Sequence, residues 1–174
     1  EQDRIVTCQP GVITANLQNF AERQGLFYPV DFASSGSSQI GGNVSTNAGG
    51  IKVIRYGLTR DWVAGLKVVT GTGALLDCNA GLVKNATGYD FRHLMIGAEG
   101  TLGLLAEIDV QLTAMPEPQI VMVMGVPIVG DLLSILQTFN AALTLSAFEF
   151  FSDVALQKVR DHRSLPAPLG QPEA

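Results

Sequence analysis

The stretch Ser37–Gly57, SSQIGGNVSTNAGGIKVIRYG, decides how this chain is interpreted. Two glycine pairs, Gly41-Gly42 and Gly49-Gly50, bracket a run of small polar residues. Because glycine has no Cβ, such a run can bring backbone N–H groups close to a planar or anionic ligand, and nearby Asn and Thr side chains can hydrogen-bond its polar edge. Apolar residues within Ile40–Ala48 recur at helical spacing. We predict a short helix there that contacts a ligand; a purely structural turn is the alternative.

A second glycine-containing segment, Gly97–Leu105 with the sequence GAEGTLGLL, predicts a turn that leads into an apolar strand over Leu102–Leu112. Between the two segments, Trp62–Thr70 and Ala74–Cys78 flank Gly71-Thr72-Gly73, which is typical of a β-hairpin. Two glycine segments separated by apolar strands indicate a long ligand that spreads across a sheet.

The N-terminal part of the chain predicts further elements of an α+β domain. Arg4–Val12 has the pattern of a strand, Thr14–Gln24 that of an amphipathic helix closed by a glycine, and Leu26–Val30 that of a short edge strand. Asp31–Gln39 is a Ser/Gly-rich loop. The predicted fold class is therefore α+β, with a mainly antiparallel sheet and flanking helices.

The double-proline stretch Met115–Pro118 is the best domain boundary, so we predict one domain over residues 1–115 and the start of another over 116–174. Beyond it the pattern predicts a β-α-β-α run, which is half of a split βαβ sandwich. Its predicted elements are the strands Gln119–Val126 and Ser146–Phe150 and the helices Asp131–Leu143 and Asp153–Asp161. The proline-rich tail Ser164–Ala174 predicts disorder or a cut end, and we expect the chain to be a fragment.

Composition narrows the function classes. The 174 residues are 47% hydrophobic and 16% charged, with a net charge of −5 and no basic cluster, which argues against binding nucleic acid or an acidic membrane surface. No segment approaches the roughly 18 apolar residues of a membrane span. Cys8 and Cys78 are too few for a disulfide framework and are expected to be reduced thiols in the cytosol.

No catalytic or metal-binding residue can be nominated. His93, on a predicted helical turn, and His162, near the C-terminal end, are the only histidines, and no His/Cys/Asp/Glu spacing resembles a metal site. The chain has no Gly-x-Ser-x-Gly nucleophile elbow and no phosphate loop that ends in Gly-Lys-Ser/Thr. Gly71-Thr72-Gly73 lacks the third glycine of a Rossmann fingerprint, which disfavours a plain NAD domain.

The glycine segments and their flanks resemble the FAD-linked oxidases of the vanillyl-alcohol oxidase/PCMH superfamily. Within it they are most similar to the FAD-dependent D-2-hydroxyacid dehydrogenases, a group that includes D-2-hydroxyglutarate dehydrogenase, D-lactate dehydrogenase and the glycolate oxidase D subunit. The resemblance covers about residues 4 to 162, and Ser146–Phe150 inclines it to the hydroxyglutarate branch. The motifs that carry it are Ile40-Gly41-Gly42-Asn43, Asn47-Ala48-Gly49-Gly50, Arg55-Tyr56-Gly57, Lys84-Asn85-Ala86-Thr87-Gly88-Tyr89-Asp90 and Ile96-Gly97-Ala98-Glu99-Gly100-Thr101-Leu102-Gly103.

The resemblance implies the second half of a PCMH-type FAD-binding fold, followed by the start of a ferredoxin-like substrate domain, with FAD as the cofactor. It places one group of residues along the isoalloxazine and ribityl: Pro29, Asp31, Ser37, Ile40, Gly41, Gly42 and Asn43. Thr46 and Asn47 would lie close behind them. Gly49, Gly50, Tyr56 and Gly57 would shape the turn under the flavin. Glu99, Gly100, Gly103 and Leu104 would lie near the adenosine end.

The activity implied by the resemblance is oxidation of a D-2-hydroxyacid to the 2-oxoacid, in which a base takes the hydroxyl proton and the C2 hydride passes to flavin N5. Electrons would then leave to a carrier other than NAD. The family's pyrophosphate loop, histidine-rich segment and carboxylate clamp have no counterpart here, so we expect this chain alone to be inactive. A non-catalytic flavin-binding or assembly subunit completed by a partner chain is the alternative. A homodimer, and a cytoplasmic or mitochondrial-matrix location, are also expected.

Overall fold

A computed structural model describes residues 3–79 and 85–169 of the chain. It divides into two compact units, Glu1–Pro116 and Glu117–Ala174. Lys84 of the fourth motif and the last five residues of the predicted tail lie outside the described residues. The assignment of 1–115 and 116–174 as a flavin domain and a substrate domain stays a prediction, because compactness alone does not identify a domain.

The strands of the first unit form two antiparallel sheets. They are β1 (Ile5–Cys8), β2 (Leu26–Phe27), β3 (Val63–Val69), β4 (Leu75–Cys78), β5 (Leu104–Gln111) and β6 (Thr113–Ala114). The main sheet has the order β1-β5-β3-β4, and β2 pairs with β6. The predicted hairpin is confirmed: Val69 pairs with Leu75, and Gly73 takes a φ of +83° in the turn between them, a left-handed conformation that costs glycine nothing.

Four short helices flank the main sheet: α1 (Thr14–Arg23), α2 (Ile40–Thr46), α3 (Val53–Tyr56) and α4 (Phe91–Met95). Both predicted helices of this unit are present, within two residues of their expected ends. The apolar faces of α1 and α2 contribute Leu17, Ile40 and Val44 to the core, which the main sheet completes with alternate residues such as Leu66 and Ile108. This alternation is what a sheet covered on one face requires.

The second unit contains α5 (Leu132–Ala142) and α6 (Asp153–Arg163), so both helices predicted there are confirmed. The predictions of strands over Gln119–Val126 and Ser146–Phe150 are wrong: neither segment has a regular β-ladder in the described part of the chain. One side-chain hydrogen bond joins the two segments, from Gln119 Nε2 to Ser146 Oγ at 2.5 Å. Apolar, β-branched sequence predicts a strand, but a strand forms only when a neighbour pairs with its backbone.

Candidate ligand-binding groove

The N-terminal end of α2 is fixed to the turn that precedes α1. The backbone N–H of Ile40 donates to the carbonyl of Val12 at 2.9 Å, and that of Gly41 donates to the carbonyl of Pro10 at 2.8 Å. A Cβ at Gly41 would lie 2.5 Å from Pro10 Cβ. Gly41 is therefore required for close packing of two chain segments, and its N–H group is used within the protein.

The polar side chains of the glycine run also find partners inside the protein. Asn43 is 5% exposed, and its Nδ2 donates to Thr14 Oγ1 at 2.8 Å. Thr46 Oγ1 donates to the Gly42 carbonyl one helical turn back at 2.9 Å, and Asn47 Oδ1 accepts from the Arg60 backbone N–H at 3.1 Å. These contacts hold α2 in place, so in this structure the three side chains orient the helix.

The second glycine segment docks on the C-terminal end of α2. The N–H groups of Gly97 and Glu99 donate to the carbonyls of Val44 and Ser45, at 3.0 and 2.9 Å. The Val44 carbonyl also accepts the Asn47 N–H at 3.1 Å, so the bond from Gly97 is a second one at that oxygen. The last carbonyls of a helix have few intrahelical partners, and these bonds tie the second glycine segment to them. Gly97, Glu99 and Gly100 all have positive φ, from +50° to +84°, and this tight turn returns the chain along the side of α2.

A groove with a volume of about 190 Å³ lies between α2 and the segment that leads into β5. Its lining comprises Pro10, Gly11, Gln39, Gly41, Gly42, Ser45, Gly100, Gly103, Leu104 and Leu105. Five of these were predicted cofactor contacts from two distant parts of the sequence: Gly41, Gly42, Gly100, Gly103 and Leu104. The fold brings them together, and ligand contact at each stays a prediction.

The glycines of the groove have two different roles. A Cβ at Gly103 would lie 2.7 Å from both Val68 Cγ1 and the Val69 carbonyl oxygen, so this glycine, like Gly41, is demanded by packing. A Cβ at Gly42 or Gly100 would meet nothing within 4 Å. At Gly42 the missing side chain leaves open space along the groove wall, whereas Gly100 has a φ of +77°, a backbone conformation that itself favours glycine.

A second set of predicted residues surrounds Asp31 and does not line the groove. Asp31 pairs with Lys52 at 3.1 Å, and its carbonyl accepts the N–H of Ile51 at 3.1 Å. Gly50 has a φ of +101°, and a Cβ there would overlap the Asp31 carbonyl. The remaining residues of this set also have partners within the protein. Pro29 is buried, and the Tyr56 ring contacts the rings of Phe27 and Trp62 edge-on. A Cβ at Gly49 would crowd Val53, a Cβ at Gly57 would crowd Asp61, and the Ser37 hydroxyl donates to the Ser34 carbonyl.

Sequence reasoning missed half of the groove lining. Five lining residues were not proposed as contacts: Pro10, Gly11, Gln39, Ser45 and Leu105. Pro10 and Gly11 fall within the segment Arg4–Val12, for which a strand was predicted. Gln39 and Ser45 lie inside the glycine stretch, so proximity in sequence could have included them. Nothing local marks Pro10 and Gly11, because their place in the groove follows from the hydrogen bonds that dock α2 on this turn.

The titratable groups near the core offer no evident reactive centre. Burial raises the pKa of the Cys8 thiol to about 11, with the Asp109 carboxylate as a second cause, so the nucleophilic thiolate is disfavoured. Burial also raises the pKa of Tyr28. Across residues 3–79 and 85–169, no group of three or more His, Cys, Asp or Glu side chains could hold a metal ion. Within the same ranges, no helix has the length and apolar character to cross a membrane.

Residues 1–79 of the chain match the family described as FAD binding domain. A solved structure of alkyldihydroxyacetonephosphate synthase gives a TM-score of 0.58 at 27% identity, covering 67% of this chain and 20% of that protein. These findings confirm the predicted α+β fold class and FAD as the cofactor.

More particularly, the chain is similar to D-2-hydroxyglutarate dehydrogenases. It is 60% identical over 169 residues to the protein of that name from Stutzerimonas stutzeri, covering 97% of this chain and 36% of the relative. It is 40% identical over 167 residues to the mitochondrial protein of that name from Bos taurus, covering 95% and 31%. Glycolate oxidase subunit GlcD of Bacillus subtilis is 44% identical over 117 residues, covering 67% and 25%. The predicted resemblance is confirmed, and the chain spans about a third of the length of the dehydrogenase relatives.

Proposed function

We propose that this chain forms part of the FAD site of a dehydrogenase that oxidises a D-2-hydroxyacid, of the D-2-hydroxyglutarate or D-lactate type, to the 2-oxoacid. The observation that carries the proposal is the groove, which is lined by Gly41 and Gly42 together with Gly100, Gly103 and Leu104. The names of the similar dehydrogenases support the substrate class.

The groove has the mixed chemistry that a flavin nucleotide needs. Gly42 and Gly100 leave its walls open, Gln39 and Ser45 offer an amide and a hydroxyl, and Leu104, which is 71% exposed, offers apolar surface. Cofactor sites combine apolar walls with a few placed polar groups in this way. Bound FAD supplies the hydride acceptor, and the role of these residues is to bind it, orient it and exclude water.

The residues around Asp31 form the second part of the proposed cofactor site. We propose that these residues support the turn over residues 49–57 and that not all of them hydrogen-bond the cofactor directly. Gly50 and Gly57, for example, are already required by packing against Asp31 and Asp61. Asp31 itself is held by Lys52. This ion pair joins Asp31 to the turn that carries Lys52.

The proposal extends to partners and location. The small 2-hydroxyacid is the substrate of the complete enzyme, its electrons pass to an acceptor other than NAD, and the enzyme is a homodimer. Its location is the cytoplasm, or the mitochondrial matrix in a eukaryote; the name of the bovine relative describes that protein as mitochondrial. The purified chain with FAD and D-2-hydroxyglutarate is expected not to reduce a dye, because none of its residues is assigned to take the hydroxyl proton.

The variant Gly42→Ala tests the groove directly. The substitution adds only a methyl group to open space, and alanine favours a helix over glycine by up to about 1 kcal/mol, so the free energy of unfolding should rise or stay unchanged. The affinity for FAD, measured by quenching of FAD fluorescence in the purified chain, should nevertheless fall. Gly71→Ala, at another open glycine in the β3–β4 turn, is the control and should leave affinity unchanged.

Equal FAD affinity of Gly42→Ala and the unsubstituted chain would contradict ligand contact at the groove. Binding without dye reduction is shared by the dehydrogenase proposal and the alternative of a flavin-binding assembly subunit. Dye reduction that appears only when the unmatched two-thirds of a similar D-2-hydroxyglutarate dehydrogenase is added as a separate polypeptide would favour an enzyme. Failure of that mixture, with FAD still bound, would favour the assembly subunit.

A further inference from the structure

The groove beside α2 has no charged side chain among its described lining residues. The polar side chains among them are the Gln39 amide and the Ser45 hydroxyl, and the rest are glycines, leucines and a proline. Glu99, an exposed residue, immediately precedes the lining residue Gly100. A neutral groove next to a carboxylate does not attract a phosphate, because like charges repel and nothing in the lining compensates for them.

The backbone amides at the start of α2 are not available to an anion either. The N–H of Ile40 donates to the Val12 carbonyl at 2.9 Å, and the N–H of Gly41 donates to the Pro10 carbonyl at 2.8 Å. Phosphate sites built from glycine-rich backbone depend on N–H groups that point at the ligand. Because these two N–H groups are used within the protein, the groove favours an uncharged part of a ligand.

The size of the groove limits how much of a cofactor can enter it. Its volume is about 190 Å³. Pockets that enclose a drug-sized ligand typically measure about 300 to 1,000 Å³, so a whole dinucleotide is too large for this groove. FAD joins two uncharged ring systems, isoalloxazine and adenine, through a charged pyrophosphate. A single ring system matches both the size of the groove and its lack of charge.

Two neighbouring hydroxyls on α2 differ in their availability to a ligand. Thr46 Oγ1 donates to the Gly42 carbonyl at 2.9 Å, and Thr46 is not among the described lining residues. Ser45 lines the groove, and within residues 3–79 and 85–169 its hydroxyl makes no hydrogen bond. That hydroxyl is therefore able both to donate and to accept. Gln39 also lines the groove, but ordering its long side chain costs more conformational entropy than ordering a serine.

We propose that the groove binds an uncharged heteroaromatic ring of FAD, and that the Ser45 hydroxyl, in place of that of Thr46, hydrogen-bonds the polar edge of this ring. The inference rests on the function proposed above, because FAD is the source of the ring. Isoalloxazine and adenine share the chemistry that the groove recognises, a flat uncharged surface with donors and acceptors on its edge. The pyrophosphate lies outside the groove.

Ser45→Ala and Thr46→Ala are a matched pair of substitutions that tests the role of Ser45. Each removes one hydroxyl from the same helix, and alanine has the higher helix propensity, so both variants should fold. The Kd for FAD, measured by quenching of FAD fluorescence in the purified chain, should rise about fivefold in Ser45→Ala, as expected for the loss of one neutral hydrogen bond. In Thr46→Ala it should change by less than about twofold. An unchanged Kd in Ser45→Ala, or an equal rise in both variants, would overturn the assignment.

Amide chemical shifts of Gly42 and Gly100 in the isotope-labelled chain show which part of FAD enters the groove. Riboflavin should shift both amides if the ring is isoalloxazine, and adenosine should do so if the ring is adenine. Inorganic pyrophosphate should shift neither, and the Gly71 amide in the β3–β4 turn is the internal reference for all three compounds. Shifts with pyrophosphate alone, or with none of the three, would overturn the proposal.

The two measurements separate this inference from the proposed function. FAD binding that Gly42→Ala weakens and Ser45→Ala does not would keep the groove as a cofactor site and reject the role of Ser45. Shifts of Gly42 and Gly100 with riboflavin or adenosine, in a chain that does not bind FAD, would support a site for an uncharged ring and contradict the proposed cofactor site.

Discussion

The two units of the molecule differ in what holds them together. Every one of the 14 buried apolar residues that form the core belongs to the first unit, whereas none of the described residues 117–169 is buried. Helices α5 and α6 carry apolar side chains such as Leu133, which is 70% exposed. The first unit is therefore stabilised by burial, and the second by local signals, for example the Ser152 hydroxyl that accepts the N–H of Ala155 at the start of α6.

This difference has a functional consequence. The groove is built from α2 and the start of β5, and α2 packs directly on the core through Ile40 and Val44, which are both 0% exposed. A binding site holds its geometry when its elements are fixed by packing behind it. The candidate site thus lies on the part of the chain that is best able to keep it in shape.

The largest expected effect comes from the same leucine truncation made in each unit. Leu66→Ala removes a side chain that is 2% exposed in the middle of β3 and should lower the free energy of unfolding by about 3 kcal/mol. Leu133→Ala, at 70% exposure in α5, should change it by less than about 0.5 kcal/mol. Urea unfolding followed by circular dichroism measures both, and similar losses would show that the second unit is packed after all.

A glycine pair gives the next largest effect. Gly50 has a φ of +101°, and a Cβ there would overlap the Asp31 carbonyl, whereas a Cβ at Gly130 would meet only Ile128 Cγ2 at 3.9 Å. Gly50→Ala should cost about 2 kcal/mol, because both the backbone and its neighbour must shift. Gly130→Ala should be neutral within about 0.5 kcal/mol. Thermal unfolding of the two variants compares them, and a tolerated alanine at Gly50 would contradict the turn around Asp31.

A buried hydroxyl and an exposed one give a smaller difference. Thr59 is fully buried and its Oγ1 donates to the Ala48 carbonyl at 2.6 Å, while Thr138 on α5 makes the same kind of bond to Ser134 at the surface. Thr59→Val leaves that carbonyl with one hydrogen bond fewer and should cost about 1 to 2 kcal/mol. For Thr138→Val, water can hydrogen-bond the Ser134 carbonyl in place of the lost hydroxyl, so the loss of unfolding free energy should stay below about 0.5 kcal/mol. Urea unfolding measures both variants. Equal losses would mean that burial of the hydroxyl does not explain the cost of Thr59→Val.

The same contrast explains which parts of the fold could be predicted from sequence. Helix α1 and the β3–β4 hairpin carry complete local signals, periodic apolar residues in one and Gly71-Thr72-Gly73 in the other, and both are present. Gln119–Val126 has an equally clear strand pattern, yet Ile120 and Val121 are 90% and 88% exposed and belong to no β-strand. Pattern specifies which face of an element is apolar, but pairing depends on partners that the local sequence does not contain.

The candidate site, like the fold, could be predicted from sequence only in part. Glycine-rich composition drew attention to two segments, and two backbone hydrogen bonds, from Gly97 and Glu99 to α2, hold them together in the fold. Ligand contact at these segments stays a prediction. Composition could not distinguish Gly42, which borders open space, from Gly103, which packs on Val68. Nor could it show that the Asn43 amide turns inward to Thr14. Those distinctions depend on which tertiary neighbour each residue meets.

The smallest expected effect is a pH dependence that belongs to the first unit. A hydrogen bond from the Arg92 side chain lowers the pKa of Asp90 below its ordinary value, so the carboxylate binds protons less readily in the folded state than in the unfolded state. Its contribution to stability is present above the unfolded-state pKa, about 3.9 for an aspartate, and is lost as the pH falls through the lower folded-state value.

Asp90→Asn should therefore flatten the dependence of the free energy of unfolding on pH below about 4, while leaving its slope near neutrality unchanged. Because the Asp90 side chain is 37% exposed, solvent screening should keep the difference below about 0.5 kcal/mol. Asn retains the cap that Asp90 provides to the Arg92 N–H at the start of α4, so a loss of helix does not confuse the result. Asp161→Asn in α6 is the matched substitution in the second unit, because the Asp161 carboxylate accepts a hydrogen bond from the neutral Gln157 amide at 2.6 Å. If both variants flatten the acid limb equally, the charged contact of Asp90 with Arg92 is not its cause.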